Sequence, residues 1–501
     1  MTPAVRHRGA VCALVATTAA LIPAAPVNAT TPAPSLRFGA CEQSMPVPAA
    51  PARVECGGLS VPLEWEHPDG EHIRIAVSRV RASGPPEERR GILLVNPGGP
   101  GGPGLAYAVT KRAKLPASVR RSYDVIGFDP RGTGRSSPAD CGSMGGLFDS
   151  PGPDPVPSGH IAERAYLDSV RRMADDCAAG VGDALAHLST TQTARDMDAV
   201  RSALGEQRIG FLGVSYGSYL GAAYAALFPR RVGRMVLDSV VGPWEWYDFD
   251  LRQSRALLRQ REVFFAWAAR HEERFGLGGS AGQVRNVYRR ARQGLAGHRV
   301  NGFGPAEFDR AVYRALGRTE RWEGLAAGIH AYLQDGSTEL LRPADPFDAA
   351  ASRTYESANR VVKCADGHGP TQDQVIADFS RLRRLDPQPV VTGIEASACA
   401  YWHHAPAHGT RLGSREAPPA LLIASEHDPV TPIEGARKLL KRLPGSRLVT
   451  LHDDYSHGVF ASRGNACVDN AAAAYLVDGA VPARDAHCSG PGLPTPRAPH
   501  E

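Results

Sequence analysis

Gly213-Val214-Ser215-Tyr216-Gly217 is the stretch whose reading decides the fold. Before it, Arg208-Ile209-Gly210-Phe211-Leu212 is a run of strand length and apolar character. After it, Ser218 to Leu227 is rich in small residues and closed by Pro229, as in a helix that packs closely. A strand, a G-x-S-x-G turn and a helix make a nucleophile elbow. The turn is too tight for side chains on both flanks, so glycine stands on either side of a serine whose backbone is strained. Its Oγ then stands clear of the sheet, within reach of a substrate and of a histidine.

A second glycine cluster lies upstream. Gly91-Ile92-Leu93-Leu94-Val95 has the continuous apolar character of a central parallel strand buried on both faces. It ends in Asn96-Pro97-Gly98-Gly99-Pro100-Gly101-Gly102-Pro103-Gly104, whose bare backbone can approach a ligand closely. The elbow and this loop together predict an α/β-hydrolase: a mostly parallel central sheet flanked by helices. In that fold the loop after the third strand and the residue after the serine supply the two oxyanion-hole N–H groups. They fall on Gly99, to within one residue, and on Tyr216. The next strand, Tyr123–Phe128, leads into Asp129-Pro130-Arg131-Gly132-Thr133-Gly134-Arg135-Ser136. This turn is read as structural, with a catalytic Asp129 as the lesser alternative.

The acid and base of a triad should follow the serine in the order acid, then histidine. Pro419–Ser425 is another buried strand, followed by Glu426-His427-Asp428-Pro429-Val430-Thr431-Pro432. Ser446–Leu451 is expected to be the last strand, followed by Asp453-Asp454-Tyr455-Ser456-His457-Gly458. Asp428 is the expected acid, orienting the imidazole, and His457 the base that takes the proton of Ser215. Glu426 and His427 stand too close to the strand end, and Asp238, after Met235-Val236-Leu237, is the competing acid. His403, His404 and His408 form a His-rich stretch without Cys or acid at ligand spacing, so no metal or cofactor is expected.

With these residues in view, the chain resembles the secreted actinomycete tripeptidyl aminopeptidases, relatives of the prolyl aminopeptidases. The resemblance is carried by NPGGPGG at 96–102, DPRGTGRS at 129–136, GVSYGSYLG at 213–221, DPVTP at 428–432 and SHG at 456–458. It implies Ser215, Asp428 and His457 as the triad, the residues already selected. Prolyl aminopeptidases have a histidine where Pro97 stands here, so strict proline specificity is not implied. The group also includes esterases.

A chain of 501 residues, 43% hydrophobic, can bury a large core. The interval between Ser215 and Asp428 exceeds what a βα unit needs, and its surplus is helical in pattern: Gln253–His271, Gly282–Leu295, Phe308–Leu316 and Val375–Leu382. We expect a helical cap inserted after the sixth strand, with boundaries of 36–242 for the first core part, 243–410 for the cap and 411–490 for the second core part. Residues 491–501 read as a flexible tail. At the start, Arg6 and Arg8, the apolar stretch Gly9–Ile22 and Val27-Asn28-Ala29 read as a signal peptide over 1–29. Secretion follows, with no membrane span after its removal. Of nine cysteines, Cys12 lies in that leader. The other eight allow 105 pairings. Pairing of neighbours, which closes modest local loops, gives Cys41–Cys56, Cys141–Cys177, Cys364–Cys399 and Cys467–Cys488. The net charge of +5 is dispersed, without basic stripes interleaved with aromatics, so nucleic acid is not an expected partner.

The expected partner is a peptide or other small-molecule substrate. A serine exopeptidase releasing short peptides, tripeptides by the resemblance, must hold a free α-ammonium group at a fixed distance from Ser215. That calls for a cap carboxylate, and Glu245, Glu262, Glu356 and Asp366 are the candidates. A carboxylesterase using the same triad would line its cap with apolar groups instead. A binding protein with dead chemistry is disfavoured by the intact triad and glycine loop.

Overall fold

The computed structural model describes residues 1, 36–41, 54–156, 159–342, 349–385, 395–403 and 409–497. The expected leader, apart from Met1, lies outside the described residues, as do His404, His408 and residues 498–501. The described strands and helices belong to the unit Pro34–Glu501.

The strands are β1 (Gly39–Ala40), β2 (Val54–Pro62), β3 (His72–Val80), β4 (Gly91–Asn96), β5 (Tyr123–Phe128), β6 (Ile209–Val214), β7 (Val232–Asp238), β8 (Leu421–Ser425), β9 (Arg447–His452) and β10 (Ala486–Ser489). They form one sheet in the order β1-β2-β3-β5-β4-β6-β7-β8-β9-β10. The first three are antiparallel and meet β5 antiparallel; from β5 to β10 all neighbours run parallel. The predicted α/β-hydrolase architecture is borne out. Counting the two-residue β1, the glycine loop follows the fourth strand and the helical insertion the seventh. The expected last strand is followed by β10, too short and polar for its sequence to announce.

β4 is buried at every position because helices cover both faces of the sheet. Ile92 and Leu94 enter one core with Ile126, Phe211 and Leu422, whereas Leu93 and Val95 enter the other with Val125, Leu212 and Val236. The strand period of two thus places alternate residues of one apolar run in different cores. The order reverses at β4, whose neighbours are β5 and β6. Such a switch point opens a crevice at the carboxyl ends of the strands, where ligands bind in open α/β sheets. The glycine loop leaves β4 there and the elbow leaves β6.

Between β7 and β8 the described chain forms seven α-helices: Trp246–Arg270, Glu272–Phe275, Ala281–Gly297, Pro305–Leu316, Trp322–Asp335, Ala349–Ala365 and Gln372–Leu385. Several share a separate core around Phe264, Phe265, Trp267, Tyr288, Phe308 and Trp322. They also touch the crevice loops. Gln253 Nε2 donates to Val430 O at 2.8 Å, Gln260 Nε2 to Tyr455 O at 2.8 Å, and Asn359 Nδ2 to Pro100 O at 3.1 Å.

Disulfides join Cys41 to Cys56, Cys141 to Cys177, Cys364 to Cys399 and Cys467 to Cys488. The expected tail is held as far as Arg497: Trp267 Nε1 donates to Pro494 O at 2.6 Å, Arg497 N donates to Glu323 Oε2 at 3.3 Å, and Leu493 packs on the helical core. Apolar burial and hydrogen bonds to its backbone fasten it. No helix among the described residues is long and apolar enough to cross a membrane.

Candidate active site

Ser215 stands between β6 and the helix Tyr216–Leu227 with φ 60° and ψ −126°, a conformation that non-glycine residues rarely adopt. A Cβ on Gly213 would come within 2.1 Å of Gly217 O, and one on Gly217 within 2.8 Å of Asn96 O. Close approach on both flanks is therefore why the motif needs its glycines. Ser215 N donates to Asp238 O at 2.9 Å, which ties the elbow to the end of β7.

Asp428 and His457 follow β8, which lies beside β7, and β9, which lies beside β8. His457 Nδ1 and Asp428 Oδ2 are 2.8 Å apart. Asp428 is 3% exposed, and its remaining acceptor capacity is used: Oδ1 takes Val430 N at 2.8 Å and Thr431 N at 3.0 Å, and Oδ2 takes Thr431 Oγ1 at 2.8 Å. Burial pushes its pKa up, but the imidazole and the Thr431 donors outweigh burial and hold the carboxyl below its ordinary value. The acid is thus kept ionised. The backbone N of His457 donates to Gly317 O of the helical insertion at 2.9 Å.

Asp238, the competing acid, faces elsewhere. Its buried carboxylate accepts Val459 N and Phe460 N, each at 3.0 Å, just beyond His457. Burial raises its pKa, opposed by Lys111, these two N–H groups and His457. Asp129 is also engaged: it accepts Gly104 N at 2.8 Å, Leu105 N at 3.1 Å and Arg135 N at 2.9 Å. It fixes the start of the helix Leu105–Lys114, while Arg131 is buried against Asp196 at 2.6 Å.

The glycine loop lies on the elbow. A Cβ on Gly98 would sit 2.9 Å from Ser215 Cβ and 3.1 Å from Tyr216 N. The Gly98 N–H is taken by Asn96 Oδ1 at 2.9 Å, and Pro100 has no N–H. Gly99 is left within the one-residue window of the sequence reading. The Tyr216 hydroxyl is 2.8 Å from Thr190 Oγ1.

The four cap carboxylates are separated by the structure. Glu262 pairs with Arg285 on the insertion's surface. Asp366 is 3% exposed and accepts Thr190 N and Thr190 Oγ1 at 2.6 Å each and Trp246 Nε1 at 3.0 Å. Burial pushes its pKa up to about 6 despite these donors. Glu356 bonds Arg360 Nη1 at 2.6 Å, on the helix whose Tyr355 and Asn359 border the glycine loop. Glu245 is exposed at the start of the helix Trp246–Arg270 and lies against Gly367.

His403 is exposed and contacts Asp175 Oδ1 at 2.7 Å. Glu426, His427 and Asp453 bring ligand atoms within 4.8 Å of one another at the surface. Glu426 Oε2 there already accepts Asp453 N at 3.2 Å and contacts His452 Nδ1 at 3.1 Å. Sequence reading missed Thr431, whose signal was its place three residues after Asp428 in a turn-forming stretch. It also missed Lys111, which nothing in its surroundings marks, and the contact of Asn96 with Gly98 N, although the glycine loop it opens was visible.

Comparisons with known proteins agree with this fold. A family model described as alpha/beta hydrolase fold matches residues 91–278, and one described as TAP-like protein matches residues 390–488. The tripeptidyl aminopeptidase of Streptomyces coelicolor is 36% identical over 467 residues, covering 89% of this chain and 85% of that protein. The serine protease Hip1 of Mycobacterium tuberculosis H37Rv is 30% identical over 477 residues, covering 89% and 90%. Carboxylesterase B of the same organism is 31% identical over 491 residues, covering 93% and 92%. Likeness of this extent, on a serine-hydrolase scaffold with a nucleophile elbow, places the chain in the tripeptidyl aminopeptidase family of the α/β-hydrolase fold.

Proposed function

We propose that the protein is a secreted serine exopeptidase that releases tripeptides from free N-termini. His457 removes the proton of Ser215 Oγ as the latter attacks the scissile carbonyl, and Asp428 stabilises the resulting imidazolium. The N–H groups of Gly99 and Tyr216 receive the developing oxyanion. His457 then protonates the leaving amine, and water resolves the acyl-enzyme by the same steps in reverse. The observation that carries this reading is the Asp428–His457 bond, at 2.8 Å, on loops beside a serine held at φ 60°.

The substrate amine requires a carboxylate of the insertion. Glu262 lies with Arg285 on the insertion's surface and Asp366 is buried among neutral donors, so Glu356, which pairs with Arg360, and Glu245 are the carboxylates to which we assign it. Glu356 leads, because its helix borders the glycine loop. Export is supported by four disulfides, a mark of oxidising compartments.

A carboxylesterase is the second reading, favoured by the likeness to carboxylesterase B. Incubation with an unblocked oligopeptide, followed by mass spectrometry, separates the two. The proposal predicts products shortened by three residues from the N-terminus, in successive steps, and none after Ser215→Ala. An intact peptide beside rapid cleavage of aryl esters would favour the esterase.

A further inference from the structure

The loop after His457 is gripped by buried side chains from several elements. Gly458 N donates to Ser239 Oγ at 2.8 Å, Val459 N and Phe460 N donate to Asp238 at 3.0 Å, and Ala461 N donates to Asp469 Oδ1 at 2.8 Å. These groups seize the loop's N–H groups. The carbonyls of Phe460 and Ala461 are met by Lys111, and that of Phe460 also by Ser462 Oγ at 3.2 Å. The Lys111 Nζ donates to Phe460 O and lies 3.5 Å from Ala461 O and 3.4 Å from Ser462 Oγ.

Lys111 belongs to the helix Leu105–Lys114, which starts directly behind the glycine loop and is anchored there by Asp129. It is only 3% exposed. Burying an ammonium group is costly unless partners compensate, and an apolar side chain of similar length would fill the space without that cost. What an apolar side chain could not do is hold carbonyls in a fixed direction.

We infer that Lys111 is a positioning residue for catalysis, clamping the loop that carries His457 to the helix that carries the glycine loop, so that base and oxyanion donor keep one spacing. The inference rests on the proposed roles of Ser215, His457 and Gly99. Lys111 touches no reacting atom; it acts through the backbone of Phe460 and Ala461.

The clamp has a pH dependence of defined sign. Asp238 and Asp469 face the ammonium and favour its charge, and Lys114 opposes it; Tyr107, on the same helix, and His457 share the field of Asp238. Burial is the largest influence and brings Lys111 down to about 8. The cation is therefore present at neutral pH and lost as pH rises through that value.

The test uses an aryl ester without an amine, so that the substrate does not titrate. Wild-type kcat should fall several-fold between pH 7 and pH 10, with KM held and the protein still folded. Lys111→Met should lower kcat at pH 7 by about tenfold or more with little change in KM, since small misplacements of catalytic groups have such effects. Lys111→Arg, which stays cationic, should move the alkaline decline upward by at least one pH unit. A folded Lys111→Met with wild-type kcat would overturn the inference. If that variant does not fold, matching alkaline limbs in wild type and Lys111→Arg would overturn it. Ser215→Ala is the control: ester turnover surviving in it refutes the proposed chemistry itself, whatever Lys111 does.

Discussion

Ser215 holds its backbone at φ 60° because Gly213, Gly217 and Gly98 leave no room for the chain to relax. Conformations of this kind cost about 1–3 kcal/mol and persist only where the surroundings over-determine them. The same geometry leaves the Tyr216 N–H at a helix start. Replacing Ser215 or His457 by alanine should therefore lower kcat by about a millionfold, since a triad fails as a unit. Asp428→Asn should cost about ten-thousandfold, because the wrong imidazole tautomer is then favoured. Single-turnover kinetics on folded variants check both, and a near-silent Asp428→Asn would remove that residue from the triad. As candidates, Ser215, Asp428 and His457 were legible from chain order and strand endings, and the structure brings the last two to 2.8 Å. Lys111 was not: one lysine in a basic helix looks like a surface charge, and only the fold carries it under Phe460. Asp238 could be read only as a competing acid for a related reason, since its strand end was visible but not the backbone it serves.

At the scale of elements, the helical insertion meets the core through a few polar ties. Asp366 links the end of the helix Ala349–Ala365 to Thr190, and Thr190 holds the Tyr216 hydroxyl. Its carboxylate is held by neutral donors, and burial pushes its pKa up to about 6. The folded value lies above the unfolded one, about 3.9, so this group's contribution to stability is complete below the latter and disappears as pH rises through the former. On lowering pH from 7 to 5, the wild type should gain about 1 kcal/mol relative to Asp366→Asn. Urea unfolding of both proteins at the two pH values measures this, and an unchanged gap would contradict it. The insertion's helices were legible where apolar residues recur with helical period, as in Phe308–Leu316. Trp246–Arg270 begins before its reading because Trp246 and Phe249 pack into the sheet's core and break the amphipathic pattern. The helix Trp322–Asp335 was missed: its buried residues serve the insertion's own core, which local sequence does not show.

Across the whole molecule, one sheet brings residues far apart in the chain to the carboxyl ends of its strands, and the helical insertion touches the loops there. The eight cysteines join in neighbouring pairs, consistent with local loops being easiest to close. The path of the C-terminal stretch was not legible, since its anchor is Trp267, distant in sequence. The machinery for acyl transfer serves amides and esters alike, so ester cleavage says nothing of the substrate. Recognition of a free N-terminus does. The most direct test compares kcat/KM for a tripeptide aryl amide with a free amine and for its N-acetylated form. Acetylation removes the charge and leaves a cap carboxylate without its partner, at a cost of about 2–5 kcal/mol. The account predicts cleavage of the free form faster by about thirtyfold or more, since each 1.4 kcal/mol is about tenfold. Equal rates, or preference for the acetylated amide, would contradict the exopeptidase reading.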